Sequence, residues 1–173
     1  LRALNISKRL KNEPSQAKSL FFMGICKYLQ NDLQASFQYY SDALAMFKEL
    51  NDSTGISHSV NNLGIIYEKL GDYKNASEYY LESLKIDEKI GEKKDISDSY
   101  TNIGLIFHKL DYDSKAEEYH QKALKLRKEI NDTVGIAYSY NNIALLFEKR
   151  EEFQTAIEYY RMALGLSKKV DDV

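Results

Sequence analysis

Three histidines and a single cysteine are the residues of this chain whose types could do chemistry beyond solvation. A metal centre needs three or four convergent His, Cys, Asp or Glu ligands. His58 and His108 share no third partner at ligand spacing, and His120 stands where related stretches of the chain carry Tyr40, Tyr80 and Tyr160. His120 is therefore expected as a semi-buried packing residue. Cys26 falls where those stretches carry Ile66, Ile106 and Leu146, so it is expected as a buried, inert thiol, and no intrachain disulfide is available. No glycine loop for cradling phosphate and no Cys pair is present. The acidic residues are scattered at helical spacing. The sequence assigns no catalytic residue, no metal site and no cofactor, and a non-enzyme is expected.

Composition narrows the remaining classes. Hydrophobic residues make up 43% and charged residues 29% of the 173, the balance of a folded globular chain. A formal net charge of −2 supplies no basic field, and lysines alternate with glutamates, so no nucleic-acid partner is expected. The longest apolar run, LFFMGIC at 20–26, is far too short to span a bilayer, and no membrane insertion of this segment is expected. Leu1 stands in place of Met, and LRALNISKRL already reads as the middle of a helix. A piece of a longer, cytoplasmic protein is expected.

One phrase recurs. NNLGIIYEKLGDY at 61–73 returns as TNIGLIFHKLDYD at 101–113 and NNIALLFEKREEF at 141–153, with a fainter FFMGICKYLQNDL at 21–33. On this forty-residue period Gly24, Gly64, Gly104 and Ala144 share a column. Ser36, Ala76, Ala116 and Ala156 share another, and Ala43, Ser83, Ala123 and Ala163 a third. Repeats of this length denote stacked supersecondary units.

Each unit reads as two helices. Val60, Leu63, Ile66, Tyr67 and Leu70 recur at three- and four-residue steps, and Ala76, Tyr80, Leu84 and Ile90 continue a second face. Gly71 suits a left-handed stop between them, as do Asn51, Gly91 and Asn131 at the next boundary. Pro14 sits where a helix should begin. The pattern predicts helices near 1–11, 14–30, 33–50, 54–70, 73–90, 94–110, 113–130, 134–150 and 153–170. Small residues in each helix let axes approach, aromatics fill the gaps, and the pairs must stack to bury their faces.

NNLGIIYEKLGDYKNASEYYLESLKID resembles a tetratricopeptide repeat through Leu63, Gly64, Tyr67, Gly71, Asp72, Tyr73, Ala76, Tyr80 and Leu84. Ser83 replaces the usual Ala, and Glu88 stands where a proline usually closes the second helix. With its period of forty, the chain is similar to the extended variety found in kinesin light chains, Pins-type adaptors and Rap-type bacterial regulators. LDYD in the third copy replaces LGDY, so a locally different turn is expected there. The resemblance implies an all-α, right-handed superhelical solenoid of antiparallel helix pairs. It divides as a second helix of a truncated repeat at 1–13, then repeats at 14–53, 54–93, 94–133 and 134–173.

The resemblance further implies that first helices line a concave groove. Matching columns then place Asn62, Asn102 and Asn142 there, with Asn61, Thr101 and Asn141, the apolar Ile25, Ile65, Leu105 and Leu145, and Lys69, Lys109 and Lys149. Tyr28, Glu68, His108 and Glu148 lie beside the lysines. Asn offers a donor and an acceptor to an extended backbone. The carboxylate clamp of chaperone-binding members is absent, because Ile65 and Leu105 stand where it needs Asn. The implied function is a protein–protein interaction scaffold binding a peptide or partner segment. The alternative is a signal-input domain of a sensor kinase or transcription regulator. Helix 153–170 repeats the inward pattern through Phe153, Ala156, Ile157, Tyr160, Leu164 and Val170, so end-to-end self-association is expected.

Overall fold

The computed structural model describes the backbone of residues 12–171 and the side chains of 12–168. Every element among them is an α-helix: α1 (Glu13–Leu29), α2 (Leu33–Glu49), α3 (Ser53–Lys69), α4 (Tyr73–Ile90), α5 (Lys93–Lys109), α6 (Asp113–Glu129), α7 (Thr133–Lys149) and α8 (Phe153–Asp171). The helix expected near 1–11 and the side chain of Val170 lie outside the described residues. Helix starts recur every twenty residues from 13 to 153, so the forty-residue period is two equal halves.

Two adjacent residues make each turn. The first takes a left-handed conformation: Asn31, Asn51, Gly71, Gly91, Asp111, Asn131 and Glu151 all have φ between 54° and 87°. The turn in the third copy keeps the stop, since Asp111 adopts φ 62° as the equivalent Gly71 adopts φ 77°, but it differs at the cap: Tyr112 makes no side-chain cap bond, where Asp72 accepts from the Asn75 N–H at 3.2 Å. Asp tolerates the left-handed region because its short side chain can bond locally. Where the next residue is aspartate it caps the following helix, whereas Glu92 and Tyr112 make no side-chain cap bond. The carboxylates of Asp32, Asp52 and Asp132 accept from the N–H groups of Ala35, Gly55 and Gly135 at 3.2, 2.9 and 2.9 Å. Each satisfies an amide that the first turn would otherwise leave unpaired. A left-handed stop so close to the next helix start leaves little room for a loop, and consecutive helices pack on each other within residues 13–90 and again within residues 93–171.

The chain forms two compact units, one ending at Ile90 and holding α1–α4, the other starting at Gly91 and holding α5–α8. In the first, α1 packs on α2, α2 on α3 and α3 on α4, and the first helices α1 and α3 also touch. In the second, α5, α6, α7 and α8 pack in the same succession, and α5 touches α7. The glycine column explains the closeness within pairs. A Cβ on Gly24 would lie 2.7 Å from the Tyr40 ring, on Gly64 2.8 Å from Tyr80, and on Gly104 2.6 Å from His120. Stacked rings repeat at the same offset: Tyr67 on Tyr79 at 5.2 Å, Phe107 on Tyr119 at 5.5 Å and Phe147 on Tyr159 at 5.5 Å.

Two expectations need correction. Cys26 is exposed, not buried. Its column-mate Ile66 is 1% exposed, in a cluster with Tyr40 and Leu63 against which Leu33, Phe37 and Leu44 of the preceding second helix pack. His120 is fully buried, at 1% exposure, because it fills the space over Gly104 that tyrosine fills elsewhere.

Candidate partner-binding face

The solvent side of each first helix is built by elimination. In α3 the small and apolar residues Gly55, Ser59, Leu63 and Ile66 turn inward, which leaves His58, Asn61, Asn62, Ile65 and Lys69 on the wetter side. In α5 and α7, Ile103, Ile106, Ile143 and Leu146 are buried by the same periodicity. Ile25, Ile65 and Leu105 are half-buried, whereas Leu145 is 45% exposed. Because α5 and α7 touch, the rows Thr101/Asn141, Asn102/Asn142, Leu105/Leu145 and Lys109/Lys149 lie on neighbouring helices.

The polar members of these rows have different surroundings. Asn62 donates through Nδ2 to the His58 carbonyl at 2.8 Å, while Asn61 and Asn102 are half-buried. Thr101 is buried, with its hydroxyl donating to the Ser97 carbonyl at 2.9 Å. Asn141 is exposed; Asn142 is 5% exposed and its Nδ2 has no hydrogen-bond partner. Lys69 and Lys109 are exposed. Lys149 is exposed too, but its ammonium bridges Asp111 at 2.6 Å and Asp113 at 3.0 Å. His108 Nδ1 lies 2.8 Å from Asp113. Burial raises the Asp113 pKa, but the hydrogen bonds from His108 and Lys149 outweigh it and hold the carboxyl below its ordinary value.

The glutamates beside the lysines are tied inward. Tyr80 donates to Glu68 at 2.7 Å, and Tyr160 donates to Glu148 at 2.7 Å. Burial, followed by the neighbouring Glu68 carboxylate, pushes the Tyr80 phenol well above its ordinary value. Burial and the bond to Glu148 push Tyr160 up to about 12. A signal for this pairing was in the sequence: where His120 replaces tyrosine, His108 replaces glutamate twelve positions before it.

The tetratricopeptide-repeat family model matches residues 55–129 and 114–169, together more than half of the chain. The chain belongs to the tetratricopeptide-repeat family. Repeats of this family build scaffolds for protein–protein interaction. No curated protein is significantly similar in sequence. Among solved structures, BtubC (BKLC) from P. vanneervenii superposes with a TM-score of 0.83 at 16% identity, covering 94% of this chain and 67% of that one. The apo form of RapI gives 0.84 at 20% identity, covering 94% of this chain and 45% of RapI. These likenesses show the fold, an all-α superhelical array of helix pairs, and this chain spans less than half the length of RapI.

Two features of this tetratricopeptide chain escaped the sequence reading. One is the buried Arg127 of α6, which donates to Asp98 at 2.8 Å, Ser139 at 2.9 Å and the Gly135 carbonyl at 3.2 Å. The other is a cavity of about 410 Å³ between α1 and α3, lined by Lys18, Phe21, Phe22, Phe47, Thr54 and His58 among others. Its sequence signal was Phe22, an aromatic in the column that otherwise holds Asn62, Asn102 and Asn142. Among the described residues no three His, Cys, Asp or Glu side chains gather as a metal would require, and no helix is long and apolar enough to cross a membrane.

Proposed function

We propose that this chain is a non-catalytic module of a larger regulatory protein, holding a peptide or extended partner segment along its first helices. One observation carries the reading. First helices α3, α5 and α7 each place a partly exposed aliphatic residue (Ile65, Leu105, Leu145) between an Asn position and a Lys position. In this reading Asn62, Asn102 and Asn141, the amides with open surface, meet the backbone, the aliphatics supply contact area, and Lys69 and Lys109 favour acidic flanks. The repeats at 14–53, 54–93, 94–133 and 134–173 act as a single array. The second reading, a signal-input domain, uses the same face, and RapI, whose length this chain spans by less than half, keeps it in view. The sequence on either side of residues 1–173 in the source genome separates the two, since a kinase or DNA-binding segment there favours signal input.

The test replaces Asn62, Asn102 and Asn141, the asparagines with open surface, together by Ala. Each hydrogen bond to a bound backbone is worth about 0.5–1.5 kcal/mol, so the triple variant should lose nearly all capture of partners from native lysate. Its melting temperature should stay within a few degrees of the parent. Loss of stability with unchanged capture would end the reading.

A further inference from the structure

We infer that the cavity between α1 and α3 is an anchor pocket for one aromatic side chain of the bound segment, flanked there by acidic residues. This rests on the peptide-binding reading above and adds the chemistry of the ligand.

The pocket is built from rings. Phe47 is its floor, at 3% exposure, and it lies directly under α3 because residue 55 is glycine; a Cβ there would collide with the Phe47 ring. Phe21 meets Phe47 edge-on at 6.5 Å and Phe22 edge-on at 5.9 Å, and it lies 6.4 Å from the His58 ring. Phe22 nevertheless stays 60% exposed. An aromatic ring so exposed beside a cavity of about 410 Å³ is a wall awaiting a guest. Ligand pockets run from about 300 to 1,000 Å³ and are mostly apolar with a few polar groups at the edge, which is the composition here. Ring edges favour an aromatic guest over an aliphatic one, because edge-to-face contact adds to burial.

Charge selects the neighbours of that ring. The exposed ammonium of Lys18 stands at the rim. The rim acid, Asp52, caps α3 through the Gly55 amide, so its charge is already matched by the helix N-terminus. The rim therefore favours a carboxylate beside the anchor. The register confines the pocket to this pair of first helices. In the second unit, Asp98, Asn102 and Arg127 stand at the positions of Lys18, Phe22 and Phe47. There the buried guanidinium is bonded to Asp98 and Ser139.

The experiment uses the 173-residue chain, labelled with ¹⁵N, and three capped tripeptides: Asp-Phe-Asp, Asp-Ala-Asp and Lys-Phe-Lys. Asp-Phe-Asp should shift the amides around residues 18–22 and 54–58 and saturate at millimolar concentration. Asp-Ala-Asp and Lys-Phe-Lys should each bind at least threefold more weakly. Phe22→Asn, which installs the residue of the other three copies at an exposed position, should abolish the shifts while leaving the thermal melt unchanged. Lys18→Glu should remove the preference for Asp-Phe-Asp over Lys-Phe-Lys. Equal binding of the Ala peptide, unaltered shifts in Phe22→Asn, or no shifts in 18–22 and 54–58 would overturn the pocket. Shifts along the Asn rows with none at the pocket would overturn it while leaving the peptide-binding reading standing. Shifts at the pocket alongside an Asn triple variant that keeps full capture would uphold the anchor pocket and refute the Asn rows.

Discussion

Replacing His120 by Tyr should remove a specific fraction of this protein's acid sensitivity. The imidazole is 1% exposed, its Nδ1 has no partner, and it lies over Gly104. Burial first, then the charges of His108 and Arg127, lower its pKa from 6.5 to about 4. The folded chain therefore keeps His120 neutral where the unfolded chain has already taken up a proton. Stability from this group is complete above pH 6.5, falls as the pH drops towards 4, and levels off below. Each pH unit in that window costs about 1.4 kcal/mol, so about 2–3 kcal/mol is lost between pH 7 and pH 4.5. Carboxylates titrate in the same range, so the useful quantity is a difference between variants. Tyrosine fits this position, since Tyr40 and Tyr80 lie over Gly24 and Gly64 at nearly the same distances. Urea unfolding of the parent and of His120→Tyr at half-unit pH steps should give curves that diverge below pH 6.5, the parent falling faster. A stability difference independent of pH would refute the reasoning.

Three further outcomes follow from the packing and the turns. Gly64→Leu and Gly104→Leu should each destabilise by about 1–3 kcal/mol or more through overpacking against Tyr80 and His120, whereas Lys69→Leu on an exposed site should cost under about 0.5 kcal/mol by denaturant melts. Glu151 has φ 62°, so Glu151→Gly should raise stability by up to about 1 kcal/mol in the same assay. Leu164 is 55% exposed although Leu84 and Leu124, its column-mates, are 7% and 5% exposed. The 173-residue chain should therefore self-associate at high concentration by light scattering, and Leu164→Lys should shift it towards monomer.

The helices and turns were legible because the determinants of each are local. Helix starts fall within one residue of the expected positions, since a left-handed stop and an Asp or Asn cap lie side by side at 31–32, 51–52 and 131–132. The same locality explains what was missed. Asp111 and Glu151 are not glycine or asparagine, and only the twenty-residue spacing could have marked them as stops. Cys26 failed because a shared column fixes a residue's place on its helix, not the neighbours around it. The partners of Glu68, Lys149 and Arg127 lie 8 to 38 positions away, on other helices or in a turn. Periodicity places such residues on a face without saying which side chain will meet them.

That division between fold and face has a functional consequence. The positions that set the architecture are the stop, the cap and the small residue under the facing ring. The left-handed stop recurs at every turn whatever residue supplies it, and the small residue recurs in every first helix, while the cap is aspartate at four of the seven turns. Positions on the wet side of the first helices are free of those duties. The column that reads Phe22, Asn62, Asn102 and Asn142 therefore changes from a ring to an amide while its helices keep the same length of 17 residues. Where a wet-side residue carries an inward bond, as Glu68 does from Tyr80, the copy that has His120 for the tyrosine has His108 for the glutamate, and His108 bonds Asp113 instead. Each repeat can then present its own chemistry on a constant scaffold. A bound segment would be read as a series of distinct sites, an aromatic pocket at one repeat and amide and aliphatic rows at others. Under the proposed function, the residues that depart from the repeat would carry the specificity, while those that obey it carry the fold.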